Sequence, residues 1–349
     1  MPVIDKERPV LVTGASGYIA SWIVRFLLEE GHVVHATVRD KTQTEKVAHL
    51  TEIDSRESGQ LRLFEADLLK SGSFAEAMKG CALVIHTASP FQLNTKDPQR
   101  SLIDPALKGT RNVLETAKHT PGVQRVVLTS SVAAIYGDAI ELESAPGQVF
   151  TEEQWNESSS LRHQPYSYSK TVAEREAWKI AGTQSEWDLV TINPGFVMGP
   201  SLSQRTDGTS TQFMQSMANG QFKAGAPDLY FGVVDVREVA RAHLLAGFLS
   251  EAEGRHILSA SEHSILEMSH MLRESYGDKY PFPTKLLPNI FLYMFGPFQG
   301  FSWNFLRRNL GYPLRFNNRK SRAKLGLKYR PVAETLREHI QQLEKDGLL

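Results

Sequence analysis

The sequence predicts an α/β fold: a Rossmann-type doubly wound parallel sheet with a smaller, mostly helical C-terminal lobe. Three observations predict it. Apolar runs of strand length alternate with helix-patterned segments through the N-terminal half of the 349 residues. A glycine-rich turn joins the first run to the first helical segment. After Gly199 the alternation gives way to Gly/Ser/Thr-rich loops.

The strand runs are Val10 to Thr13, Val33 to Val38, Leu61 to Glu65, Leu83 to His86, Val126 to Thr129 and Leu189 to Asn193. Between them, segments such as Ile19 to Glu30 and Leu107 to His119 place apolar residues at spacings of three and four, as crossover helices do. In the second half, a helical segment Val236 to Leu249 precedes a Pro- and aromatic-rich region from Tyr280 to Phe316. Residues 1–199 are therefore expected to form a dinucleotide-binding domain and residues 200–349 a substrate lobe, some of whose segments return to the first domain. No flexible linker separates the two, so the cleft between them is the expected site.

Lys plus Arg and Asp plus Glu balance at 39 each, which offers no strong field to nucleic acid or an anionic membrane. A small-molecule partner fits better. The single cysteine, Cys81, cannot form an internal disulfide and reads as a small buried hydrophobe. No Cys/His cluster has the spacing of a metal site. Asp5, Lys6, Glu7 and Arg8 precede the first apolar run, so no signal-peptide core is expected. The apolar stretch from Ile290 to Phe298 is shorter than the roughly 20 residues of a spanning helix. These features lead us to expect a soluble cytoplasmic protein, a monomer or homodimer.

Directly after the first strand, Thr13-Gly14-Ala15-Ser16-Gly17-Tyr18-Ile19-Ala20 forms a turn that opens a helix. Glycines there allow a pyrophosphate to approach amide N–H groups at the helix N-terminus. Ala20 in place of a third glycine still permits close helix–strand packing. The second strand ends at Val38-Arg39-Asp40, where the adenosine ribose is read. An acidic group there suits NAD, whereas Arg39, with Lys46 one helical stretch further on, suits the 2′-phosphate of NADP. The expected cofactor is accordingly NADPH/NADP+. Asp67, followed by Leu68, is placed either to accept from the adenine amine or to cap the turn containing Ser71 and Ser73.

Tyr166-Ser167-Tyr168-Ser169-Lys170 opens a helical segment. Spacing of four puts Tyr166 and Lys170 on one face, where an ammonium favours the ionised form of a nearby phenol. The fifth strand closes with Ser130-Ser131, hydroxyl donors at the sheet's carboxyl edge, and one of them is positioned to bond a substrate carbonyl that Tyr166 protonates.

With these motifs in order, the chain resembles the extended short-chain dehydrogenase/reductase superfamily, and within it the dihydroflavonol reductase, cinnamoyl-CoA reductase and yeast methylglyoxal (ketone) reductase group. The resemblance runs through nearly the whole chain. It includes Val84 to Pro90, Lys108-Gly109-Thr110-Arg111-Asn112-Val113-Leu114, Asn193 to Pro200 and the tail from Asn317 to Pro331. It implies that Ser131 rather than Ser130 is catalytic and that Asn112 holds a proton-relay water. It further implies that Thr87, Ala88 and Ser89 line the cofactor, that Pro194 and Val197 contact the nicotinamide end, that Lys170 reaches the nicotinamide ribose and that Ser210 reaches a phosphate.

The departures bear on substrate. Tyr136 stands where dihydroflavonol reductases carry an asparagine, and Gln164-Pro165-Tyr166-Ser167-Tyr168 replaces the Asn-Trp-Tyr-Cys-Tyr block of cinnamoyl-CoA reductases. What remains is an NADPH-dependent aldehyde or ketone reductase whose pocket wall draws on Phe91, Tyr136, Phe196 and the aromatics after Tyr280. The alternatives are a nucleotide-sugar epimerase or dehydratase with tightly bound NAD, against which Arg39 counts, and a non-catalytic NADP-binding redox sensor, against which the intact Ser131, Tyr166 and Lys170 count.

Overall fold

The computed structural model describes residues 4–54, 56–89, 97–204, 206–296 and 300–349. Seven strands build the main sheet: β1 (Val10–Thr13), β2 (Val33–Val38), β3 (Gln60–Glu65), β4 (Leu83–His86), β5 (Arg125–Thr129), β6 (Asp188–Pro194) and β9 (Gly254–Leu258). Their order is β3-β2-β1-β4-β5-β6-β9, and every pairing is parallel. The order reverses between β1 and β4, and a parallel sheet of this kind binds its ligand outside the carboxyl ends of the strands at that point. A second sheet of β7 (Phe196–Met198), β8 (Tyr230–Asp235) and β10 (Ser261–Ser264) has the order β10-β8-β7.

Helices cover both faces of the main sheet. In the first half these are α1 (Tyr18–Glu29), α2 (Thr44–Asp54), α3 (Ala75–Met78), α4 (Asp104–Lys118) and α5 (Pro165–Ala181). From the second half α7 (Val236–Phe248) and α11 (Arg319–Lys324) join them, while α6 (Thr209–Ala218), α8 (Ile265–Tyr276), α9 (Asn289–Phe295), α10 (Trp303–Asn309) and α12 (Val332–Lys345) build the C-terminal lobe. One face buries Ile23, Val24, Leu27 and Leu28 of α1 beside Val239 and Leu244 of α7. The other buries Val113 and Leu114 of α4 with Ala177 and Ile180 of α5. Each large side chain of this kind contributes roughly 1.5–3 kcal/mol through burial.

The C-terminal helices share a separate core, in which Met214 and Met217 of α6 meet Met268 and Leu272 of α8 and Leu336 and Ile340 of α12. The chain passes from one core to the other at Gly195, where a Cβ would lie 2.1 Å from the carbonyl oxygen of Gly232. Only glycine lets β6 run on into β7 against that backbone.

The six expected strands all belong to the parallel sheet, with ends differing by a residue at β3, β5 and β6. Strand β9 shows that part of the second half completes the main sheet, beside β6. Among the described residues no helix is long and apolar enough to cross a membrane, and no group of His, Cys, Asp and Glu side chains is arranged to hold a metal ion. Cys81 is buried, and burial pushes its thiol up to about 12.

Candidate active site

The turn after β1 is shaped for an anion. Gly14 has φ +64°, and a Cβ there would meet the Cβ of Ala88 at 3.0 Å, so glycine is required on both counts. The Ala15 N–H is used by the Thr37 carbonyl at 2.9 Å, which fixes the turn to β2. Helix α1 then starts at Tyr18 behind Gly17, which has no side chain to cap it. The N–H groups of the first turn, Tyr18 and Ile19 among them, have no partner within the helix and form the positive end of its dipole. The residues present fit a dinucleotide pyrophosphate. Tyr18 is otherwise engaged, since its buried hydroxyl donates to the Gly199 carbonyl at 2.5 Å.

The carboxyl end of β2 separates the two candidate ribose readers. Asp40 is consumed locally: Oδ1 accepts from the Thr42 N–H at 2.9 Å and the Thr42 hydroxyl at 2.6 Å, and Oδ2 from the Gln43 amide at 2.9 Å. Arg39 and Lys46 are exposed, and among the described residues neither has an ion-pair partner. A site with two free cations and an occupied carboxylate fits a ribose bearing a 2′-phosphate.

The resemblance assigned the edge of β4 to cofactor contact, and there Thr13 acts as a joint. Its Oγ1 accepts from the N–H groups of Thr87 and Ala88, both at 3.1 Å, which leaves its proton for His86 Nδ1 at 2.8 Å. Burial, helped by the charge of Lys170, pushes His86 down to about 3, so it is a neutral acceptor. Ser89 is exposed at the end of this segment, and Phe91 lies outside the described residues.

Beyond β5 the two serines part company. Ser130 is buried, and its hydroxyl donates to Glu174 Oε2. Ser131, in extended backbone, caps the short turn Val132–Ala134 by accepting the Ala133 N–H at 3.1 Å, lies 3.5 Å from the Pro194 carbonyl and hydrogen-bonds Tyr166. Helix α5 starts after Gln164, whose φ of 52° is left-handed, and Pro165 occupies its first turn. Tyr166 and Lys170 therefore lie one turn apart on the same face. Burial pushes the Tyr166 phenol up to about 12 against the lowering effect of Ser131, and pushes the Lys170 ammonium down to about 8 against the opposing charge of Glu174. The expected lowering of the phenol is thus not realised, because desolvation dominates.

Behind the start of α5 is a group that the sequence reading did not single out. Asp138, fully buried, accepts from His163 Nε2 at 2.9 Å, Gln164 Nε2 at 2.7 Å, Arg308 Nε at 2.5 Å and Asn309 Nδ2 at 2.7 Å. Asn304 contacts the other ring nitrogen of His163 at 3.1 Å. This group ties α10 to the residues that precede Tyr166. Gln164 and Pro165 at the head of a helix were the visible signal. Their partners stand far away in sequence and gave none.

Several of the expected site residues make contacts within the protein. Asn112 donates its amide to the carbonyls of Leu68 (3.1 Å) and Lys70 (2.9 Å), and its oxygen accepts from Gly72, so the side chain latches the 67–72 loop. Ser210 donates its proton to the Val197 carbonyl at 2.5 Å rather than holding it for a phosphate. Asp67 caps the turn, with Oδ1 accepting from Leu69 at 2.8 Å. The ring of Tyr136 is stacked on Phe150 at 4.7 Å and tilted against Phe316 at 5.5 Å, and the residue remains only partly buried. Phe196 packs similarly between Phe213 and Phe231, at 5.2 Å from each. Of the aromatics after Tyr280, Phe282 is core, whereas Phe291, Phe295 and Trp303 are exposed.

Comparison with known proteins identifies the family. The model of the NAD dependent epimerase/dehydratase family matches residues 10–257. A cinnamoyl-CoA reductase of Medicago truncatula is 39% identical over 340 residues, covering 96% of this chain and 95% of that protein. A bifunctional dihydroflavonol 4-reductase/flavanone 4-reductase of Malus domestica is 35% identical, covering 80% of each. Among solved structures, yeast methylglyoxal/isovaleraldehyde reductase Gre2 complexed with NADPH superposes with a TM-score of 0.77 at 28% identity, over 98% of this chain and 100% of that one.

Proposed function

The chain belongs to the NAD dependent epimerase/dehydratase family, within the extended short-chain dehydrogenases/reductases, and on that premise we propose that it reduces an aldehyde or ketone to an alcohol with Tyr166 as proton donor. It is an oxidoreductase that uses NADPH, consistent with the free Arg39 and Lys46 beside an engaged Asp40. When bound, the cofactor supplies a hydride to the carbonyl carbon.

The chain's own groups do the rest. Ser131 bonds the Tyr166 phenol and is placed to bond the same carbonyl oxygen, so donor and acceptor are held together before the proton moves. A phenol pushed up to about 12 is protonated at neutral pH, the form that reduction requires. As the carbonyl oxygen gains negative charge, the phenol O–H bond breaks, a new O–H bond forms on the product, and the phenolate left behind is stabilised by Ser131 and by the Lys170 ammonium. Tyr136 and Phe196 keep part of their surface open and supply the apolar wall that suits a compact, weakly polar carbonyl compound.

The observation that carries this reading is the Ser131–Tyr166 hydrogen bond with Lys170 one turn away. The Tyr166→Phe variant is expected to bind NADPH like the parent, measured by fluorescence titration, yet to lose nearly all NADPH oxidation across a panel of aldehydes, 2-ketoesters, diketones and aryl ketones. Substantial residual turnover would place the acid elsewhere, and strict dependence on a UDP-sugar or an acyl-CoA would overturn the substrate class.

A further inference from the structure

Tyr166, Lys170 and Glu174 follow one another at spacings of four on α5, so the three side chains share one helical face. Glu174 is the innermost, with 1% of its surface exposed, and its carboxylate gathers donors from four elements. Oε1 accepts from Arg255 Nε of β9 at 2.6 Å and Trp178 Nε1 of α5 at 3.3 Å, while Thr191 of β6 shares its hydroxyl proton between Oε1 at 3.3 Å and Asn193 Oδ1 at 3.2 Å. Oε2 accepts from the Ser130 hydroxyl of the β5 terminus and from Asn193 Nδ2 of β6 at 2.8 Å. Asn193 Nδ2 also donates to the Ser131 carbonyl at 3.2 Å. One carboxylate is therefore a single hydrogen-bonded step from the backbone of Ser131 and one helical turn from Lys170.

A structural pair would need only Arg255, which binds the Glu174 carboxylate through Nε and has further contacts of its own. Its guanidinium lies 3.9 Å from the Trp155 ring centroid and donates to the carbonyls of Glu152 at 2.9 Å and Ala134 at 3.1 Å. The additional links from Glu174 to Ser130 and Asn193 point toward the reacting groups instead. Building on the function proposed above, we infer that Glu174 is a positioning residue. It sets Ser131 through Asn193 and presents a fixed negative charge to Lys170, which keeps the ammonium charged while it is buried beside Tyr166.

The other charged groups around Lys170 leave this role to Glu174. On β4, His86 is neutral. On the turn Gln99–Ile103 packed against α5, Arg100 is paired with Asp97. On α4, Arg111 is bridged to Glu176 at 2.7 Å. Arg255 of β9 is ion-paired with Glu174 at 2.6 Å, which offsets part of the negative charge that Lys170 meets.

The test follows the charge of Lys170 directly, in cofactor-free protein, by NMR titration of lysine side chains labelled with carbon-13, with Lys170→Ala assigning the signal. In Glu174→Gln the midpoint for Lys170 is expected to fall by about one pH unit, since an opposite charge near the ammonium is lost. The alkaline limb of kcat/KM should move to lower pH with it, while Glu174→Asp, which keeps the charge, should restore most of the parent midpoint. Glu174→Gln leaves Arg255 buried without its partner and can fail to fold. The double variant Glu174→Met/Arg255→Met removes both charges and should fold; loss of the Arg255 cation offsets part of the fall, so its Lys170 midpoint should lie below the parent but above that of Glu174→Gln. A parent-like Lys170 midpoint in a folded variant lacking the Glu174 charge overturns the inference. If Tyr166→Phe proves active, the proposed reaction falls instead, and the Lys170 titration still decides the role of Glu174.

Discussion

Replacing Arg39 by Ala separates cofactor choice from stability more cleanly than any other change at the site. Arg39 is exposed at the carboxyl end of β2 and makes no ion pair among the described residues, so its removal should leave the melting temperature within about a degree or two of the parent, as for ordinary surface substitutions. Against a 2′-phosphate, a charge-assisted hydrogen bond contributes roughly 1.5–3 kcal/mol. Solvent screening at an exposed position moves that toward the lower bound, which is about a tenfold loss of NADPH affinity. Asp40 cannot take over, because its carboxylate carries the same sign of charge as the phosphate. NADH has no phosphate at that position, so its weaker binding should not change. The assay is fluorescence titration of both cofactors against parent and variant, repeated at two salt concentrations, with the NADPH effect shrinking at high salt. Equal weakening for NADH and NADPH would mean that Arg39 shapes the loop rather than reading the phosphate, and no weakening at all would refute the reasoning.

Two other outcomes follow from the same geometry. Lys170 is pushed down to about 8 by burial, against the pull of Glu174, so carbonyl reduction measured as a pH series of kcat/KM should hold level below about 8 and decline as pH rises through it; a decline that Lys170→Arg leaves in place would contradict the assignment. Burial alone would raise the Asp138 carboxyl, but bonds from Arg308, Asn309 and His163 hold it below the ordinary range, so its stabilising effect is present above the unfolded carboxyl pKa and is lost as pH falls through the folded one. Asp138→Ala should cost about 3 kcal/mol in denaturant unfolding, the lower end for a broken buried pair because Arg308 is a third exposed, and a loss under about 1 kcal/mol would show that the cluster is not holding α10.

The sequence made the first six strands readable because five of them are largely apolar runs, the pattern of a strand covered on both faces, while β3, at the sheet edge, alternates Leu61 and Leu63 with exposed residues. Strand β9 escaped notice because Arg255 and His256 stand in its middle, and buried charges resemble surface until a partner is known. The partner of Arg255 is Glu174, on a helix far away in sequence. The same limit applies to Arg125, which is fully buried at the start of β5 between Asp188 and the last carbonyls of α7. At the site, Tyr166, Lys170 and the serines were visible because their spacing is local. The contacts of Asn112 were hidden for the converse reason: its helix position matched a pattern, while the loop that holds its amide enters from residues 67–72.

Strand β9 also bears on how this molecule could be divided. It lies beside β6, yet the chain reaches it only after building β7, α6, β8 and α7, and then leaves again for α8 to α12. A fragment ending at Gly199 would carry every motif of the dinucleotide site but would strip β6 of its outer neighbour. The open edge would run along Val190 to Pro194, whose backbone groups now pair with Gly254 to Leu258. A bare, apolar parallel edge invites pairing with other chains. The two halves are thus interleaved rather than strung in series. Grafting the C-terminal half of a relative onto this nucleotide-binding half would transplant one seventh-strand position of the host sheet along with the new pocket, and a viable chimera would have to exchange residues on both sides of β9 while leaving the strand itself in place.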